Sequence, residues 1–159
     1  MLAPDPADAV HAAGGYLFDR VMAGWDVTVL VAGGADPRPL RILGARTVDL
    51  DAALDAPVRS PWPDAVALGA ALYETDARVR ELVDRAAGDG RAEVRMWGGP
   101  APGGADGAED RDGALRHRLS VAARAFKAEA LQAASASGRR DEAVETFRAG
   151  APFRPPRLV

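Results

Sequence analysis

Residues 26–32 read DVTVLVA, a run of β-branched and aliphatic side chains with almost no polar relief on either face. A strand of that composition has two apolar faces, and both must be covered. The run therefore predicts a central strand with helices packed on it, and the rest of the chain is read against that need.

The chain opens with a helix start. Asp5 can cap, Pro6 suits the first helical position, and Asp8 falls in the first turn, where the helix dipole favours an acid. Val10, Leu17, Val21 and Met22 share one face, which is expected to be core. Gly14 and Gly15 interrupt this helix at a cost of ~1 kcal/mol each relative to alanine, which points to close backbone packing. After the strand, residues 33–39 (GGADPRP) are turn chemistry, and residues 40–43 (LRIL) predict a second short strand. Residues 47–56 read as a short helical turn. A longer helical region opens at Ser60 and runs to Ala87, with a joint at Glu74 and Thr75. Residues 92–97 (AEVRMW) alternate as a half-buried edge strand does. Residues 98–113 contain no aliphatic side chain larger than alanine and predict a mobile loop. Residues 115–134 and 141–149 predict helices, and residues 150–159 an extended tail. Together these give a single α/β domain over 1–159, with a small sheet of about three short strands and helices packed on it.

A length of 159 residues fits one domain. The absence of cysteine removes disulfides, thiolate nucleophiles and cysteine-ligated zinc, and suits a cytoplasmic protein. The N-terminus carries early aspartates in place of a basic segment leading into an apolar run, so no signal peptide is expected. No stretch reaches the ~20 apolar residues of a membrane helix, and no membrane association is expected.

Charge is unevenly placed. Residues 1–110 hold 18 acids and 10 arginines, whereas residues 111–159 hold 10 bases and 5 acids, within a net charge of -3. The predicted helix 115–134 carries the only lysine, Lys127, and one of two histidines, His117. Arg116, His117, Arg124 and Lys127 are the candidate anion-binding residues, arginine forking across two oxygens and lysine acting as a point charge. In the same helix Leu115, Leu119, Ala122, Phe126, Ala130 and Ala133 form the face expected to pack inward. Asp49 and Asp51 form a D-x-D pair that could hold a divalent cation, but at the start of a short helix the capping role is the simpler one. Trp97, on the outer side of its alternating strand, is a candidate interface aromatic; the competing expectation has it covered by the C-terminal helix. His117 could serve Ser120 as a base, but no acid-oriented triad or G-x-S-x-G is apparent. Phosphate-loop, dinucleotide, H-E-x-x-H, EF-hand and zinc spacings are all missing, so no cofactor is expected.

With two isolated histidines, one lysine and no cysteine, the sequence favours a small non-catalytic binding or regulatory module. It would act through an unknown protein partner or as a homo-oligomer. One alternative is a phosphate- or nucleotide-handling α/β enzyme that uses the basic helix. Another is nucleic-acid binding through the same helix, which the acidic body disfavours.

Overall fold

The computed structural model describes residues 1–56, 62–88, 92–99, 114–136 and 142–149. Helix α1 (Pro6–Met22) begins as its sequence dictates: the Asp5 side chain accepts the Asp8 amide at 2.8 Å, and proline stands in the first turn. Strand β1 (Thr28–Val31) follows. The expected second strand at 40–43 is corrected: Leu40, Arg41 and Ile42 belong to a helix, α2 (Arg38–Ile42). Pro39 in its first turn supplies a helical φ, and Leu40 and Leu43 are fully buried against neighbouring helices. Residues 32–45 thereby become a crossover long enough to make β2 (Arg46–Asp49) parallel to β1.

Asp49 caps α3 (Leu50–Asp55), its side chain accepting the Ala52 amide at 2.7 Å. Next come β3 (Ala65–Gly69), α4 (Ala70–Thr75), α5 (Ala77–Gly88) and β4 (Glu93–Trp97), with β3 and β4 parallel. The chain ends in β5 (Ala114–Arg118), α6 (Val121–Ala133) and β6 (Val144–Ala149). Strand β6 lies antiparallel between β4 and β5.

The fold is thus a compact α/β domain with helices on two small sheets, β1-β2 and β3-β4-β6-β5. Leu2 joins them, bridging in parallel to Leu30 on one side and Leu68 on the other. Among the described residues there are six strands where three were expected. The four the sequence does not show, β2, β3, β5 and β6, fall within or overlap predicted helical segments. In β5, Leu115 and His117 are half-buried while Ala114, Arg116 and Arg118 are exposed; in β6, Glu145 and Phe147 turn inward. Both are period-two patterns too short to stand out from a helical reading. Strand β3 (AVALG) is an apolar run of five, for which periodicity does not separate helix from strand. Strand β4 is no edge, because β3 and β6 flank it. Most of the expected loop 98–113, and the whole tail 150–159, lie outside the described residues.

Alternation splits the core in two. Val29, Val31, Ala67, Trp97 and Phe147 pack with residues of α1, α2 and α6. Leu2, Val66, Leu68 and Val94 pack with residues of α3 and α5 on the opposite face. Both faces of β1 are covered, as its composition demands.

Candidate functional site

The position of Leu2 fixes where a ligand can enter. From it the chain passes through α1 to β1 and β2 on one side, and later returns to β3 and β4 on the other. Strand order reverses at Leu2, and α1 and α5 pack on opposite faces. Such a switch point opens a crevice outside the carboxyl ends of the strands, where doubly wound folds bind their ligands.

Short-range chemistry fills that edge with carboxylates. Asp5 and Asp8 stand in the first turn of α1. The Asp8 carboxylate accepts the Trp97 indole N–H at 2.9 Å, which fixes one oxygen across the mouth of the sheet. Gly69, at the end of β3, lies beneath this pair: a Cβ there would sit 3.4 Å from Trp97 Nε1 and 3.6 Å from Asp8 Oδ2. At the end of β1, a Cβ on Gly33 would collide with the Asp49 carboxylate. Arg148 Nη2 donates to the Gly98 carbonyl at 2.9 Å and adds a cation just past the end of β4. The edge therefore presents acid and guanidinium groups over a glycine-lined floor.

The sequence-selected residues fall elsewhere. Arg116 is exposed on β5 and Arg124 is exposed on α6. Lys127 is buried at 4 % exposure, its ammonium donating to Glu145 Oε1 and to the His11 carbonyl, both at 2.7 Å. His117 Nε2 meets Asp19 Oδ2 at 2.8 Å at the far end of α1, with Tyr16 edge-on to its ring. Burial works to raise the Asp19 pKa, but hydrogen bonds from Ser120 and His117 outweigh it and hold the carboxyl below its ordinary value. Ser120 spends its oxygen on the Ala123 amide, and it contacts the acid directly, so these three residues cap a helix and do not form a nucleophile relay. The four anion candidates do not form one surface. Arg116 and His117 alternate across a strand, and Lys127 sits inside the core.

Trp97 is 5 % exposed, so it is no interface residue: the strand's outer side, judged from alternation, faces α1 and the indole is spent on Asp8. Asp49 caps α3, and Asp51 pairs with Arg78 at 2.7 Å. Among the described residues no group of three histidine, aspartate or glutamate side chains could hold a metal ion. Asp5 and Asp8 went unassigned as site residues because an aspartate in a first turn is fully explained by capping. The signal that could have found them is topological: α1 is the helix that follows Leu2, the residue bridging the two sheets.

No protein-family profile matches the sequence, and a comparison with curated proteins returns no match. Solved structures do match. A deacetylase triple mutant (Orf2*T) involved in the teicoplanin biosynthetic pathway superposes with a TM-score of 0.57 at 16% identity, covering 93% of this chain and 95% of that one. The A40926 pseudoaglycone deacetylase Dbv21 superposes with the same TM-score and identity, covering 96% of each chain. A zinc inhibited form of teicoplanin deacetylase Orf2 gives 0.52 at 16% identity, over 82% and 81%. At this identity the likeness establishes a shared fold. It also corrects the expected non-catalytic module, because the full-length structural counterparts are enzymes. Among the described residues the zinc named for one of them finds no matching donor set: the carboxyl edge offers aspartates without a histidine, and Asp5 and Asp8 each already accept a hydrogen bond.

Proposed function

We propose that the chain is an amide hydrolase of the deacetylase kind, working at the carboxyl-edge crevice with Asp8 as its base. The observation that carries this is the Asp8 carboxylate held by the Trp97 indole at the switch point of a fold that matches deacetylases over nearly its full length. One Asp8 oxygen accepts the indole hydrogen bond, and the other takes a proton from water. The water oxygen adds to the acyl carbon and gives a tetrahedral oxyanion. Collapse expels the amine, which takes the proton back from Asp8, leaving a free amine and a carboxylic acid. Oxyanion charge is favoured at the positive end of the α1 dipole, in whose first turn Asp8 stands, and beside the Arg148 guanidinium. A cytoplasmic location accords with the absence of cysteine.

The test is amine release from a panel of N-acetylated amines, amino acids and amino sugars. Asp8→Asn keeps the shape and an acceptor for the indole but removes the base, and is expected to lower kcat by about 10²-fold or more, in keeping with the worth of a positioned general base. Turnover by Asp8→Asn equal to the parent would reject Asp8 as the base, and no amine from any member of the panel would reject the hydrolase.

A further inference from the structure

Strand β2 is paired on one side only, and among the described residues no strand lies beyond it. Its ladder with β1 shows which backbone groups are left over. The Arg46 amide donates to the Val27 carbonyl at 2.9 Å, and alternation in a parallel ladder then turns Arg46 and Val48 to β1. The N–H and C=O of Thr47 therefore point out of the sheet, as on any open edge that can template a further strand. Strand β1 stands between this edge and the chain around Leu2.

A cavity of about 540 Å³ opens along the same edge, lined by Pro37 and Arg41 at α2 and by Arg46, Thr47 and Val48 of β2. Two arginines and no acid stand among its described lining residues. Arg41 is exposed and makes no ion pair among the described residues. Arg46 is engaged only in an exposed pair with Asp26, a weak tie that an incoming carboxylate can share. Thr47 Oγ1 is buried without a hydrogen-bond partner, a state that folded proteins rarely leave unfilled. Val48 beside it is 41% exposed and offers apolar contact.

We infer that the free edge of β2 binds an extended acidic peptide segment of another protein, which adds to the sheet as a strand along Thr47 and sets carboxylates on Arg41 and Arg46. Backbone bonds to the open edge supply the docking, and the two arginines supply the choice of partner. A second copy of this chain is disfavoured as the occupant, because a two-fold axis through β2 would bring each arginine towards its own symmetry mate. Catalysis at Asp8 is not required for this binding, so the hydrolase reading and this one can fail independently.

Fluorescence anisotropy of a labelled peptide of alternating glutamate and valine, blocked at both ends, tests it in low-salt buffer. Saturable binding is expected, tighter by about tenfold or more than that of the lysine and valine counterpart. Arg41→Glu should remove that preference. Thr47→Pro should abolish binding and keep the fold, because the N–H it removes faces the open edge, where proline is tolerated. Circular dichroism establishes that each variant is folded. The same peptide methylated on its backbone nitrogens should not bind, which reads the strand pairing without altering the protein. Absence of saturable binding by the glutamate peptide, a preference that survives Arg41→Glu, or binding retained by the methylated peptide or by folded Thr47→Pro would each overturn the inference. A dimer in sedimentation that Thr47→Pro dissolves would also overturn it, and would give the edge to a second copy.

Discussion

Lys127 shows how a residue can be singled out correctly for the wrong reason. As the only lysine beside 19 arginines it invites a functional reading, yet it sits at 4 % exposure against Glu145 at 2 %. Both groups are well supplied: Glu145 also accepts the Gly15 amide at 2.8 Å and the Tyr16 amide at 2.7 Å. An ion pair this deep adds little over an apolar pair of equal volume, because desolvation cancels much of the attraction, but breaking it strands a charge. Lys127→Met and Glu145→Gln are each expected to cost about 3–5 kcal/mol in urea unfolding, while the double variant costs clearly less than the two combined. Additive costs would mean that the two side chains are not coupled. The sequence could not reveal this burial. Counting the helical face from Leu115 placed Phe126 inward, whereas Phe126 is 45% exposed and Ala123, Lys127, Ala130 and Leu131 face the core. Leu115 lies six residues before the first residue of α6, inside β5.

Helix α1 carries the longest-range consequence of that pair. In an unbroken α-helix the Gly15 amide donates to the His11 carbonyl. Here Glu145 accepts from that amide and Lys127 donates to that carbonyl, so a side-chain pair from α6 and β6 engages one rung of the α1 ladder. Two glycines at this point are therefore not equivalent. A Cβ on Gly14 would stand 3.3 Å from Val10 and 3.4 Å from Leu43 and Lys127, a tight contact that small shifts absorb. A Cβ on Gly15 would overlap Leu119, which is 5 % exposed and has nowhere to swing. Gly15→Ala is expected to destabilise by about 1–3 kcal/mol despite the better helix propensity of alanine, and Gly14→Ala to lie near neutral. Equal behaviour of the two in thermal or urea unfolding would refute the close packing of α1 on Leu119. Close approach was legible in the glycine pair itself, and the start of α1 in Asp5, Pro6 and Asp8, because these are local effects. Strands β2, β3, β5 and β6 were not legible, because four to six residues contain too few periods to separate a strand from a helix, and their pairing partners lie elsewhere along the chain.

At the scale of the whole molecule, one short piece of chain holds two sheets together, and its chemistry ties stability to pH. Leu2 donates to the Ala67 carbonyl at 2.9 Å and Ala3 to the Leu30 carbonyl at 3.0 Å, so the N-terminal residues bond to both flanking strands. The Met1 ammonium is drawn in with them, donating to the Thr28 carbonyl at 2.8 Å. Burial lowers its pKa from 8.0 to about 6. Between those values the unfolded chain binds the proton more readily than the folded one, so raising the pH favours folding. Stability should therefore climb from pH 6 to pH 8 and level off above, with a gain of about 2–3 kcal/mol attributable to this group at the conversion of 1.36 kcal/mol per pKa unit. Urea unfolding at half-unit steps across that window measures the gain. Acetylation of the Met1 amine removes the titrating group, and the rise from pH 6 to 8 should flatten. A rise that persists unchanged after acetylation would place the titration on other groups, and would mean that drawing the amine between the two sheets carries no cost that depends on its proton.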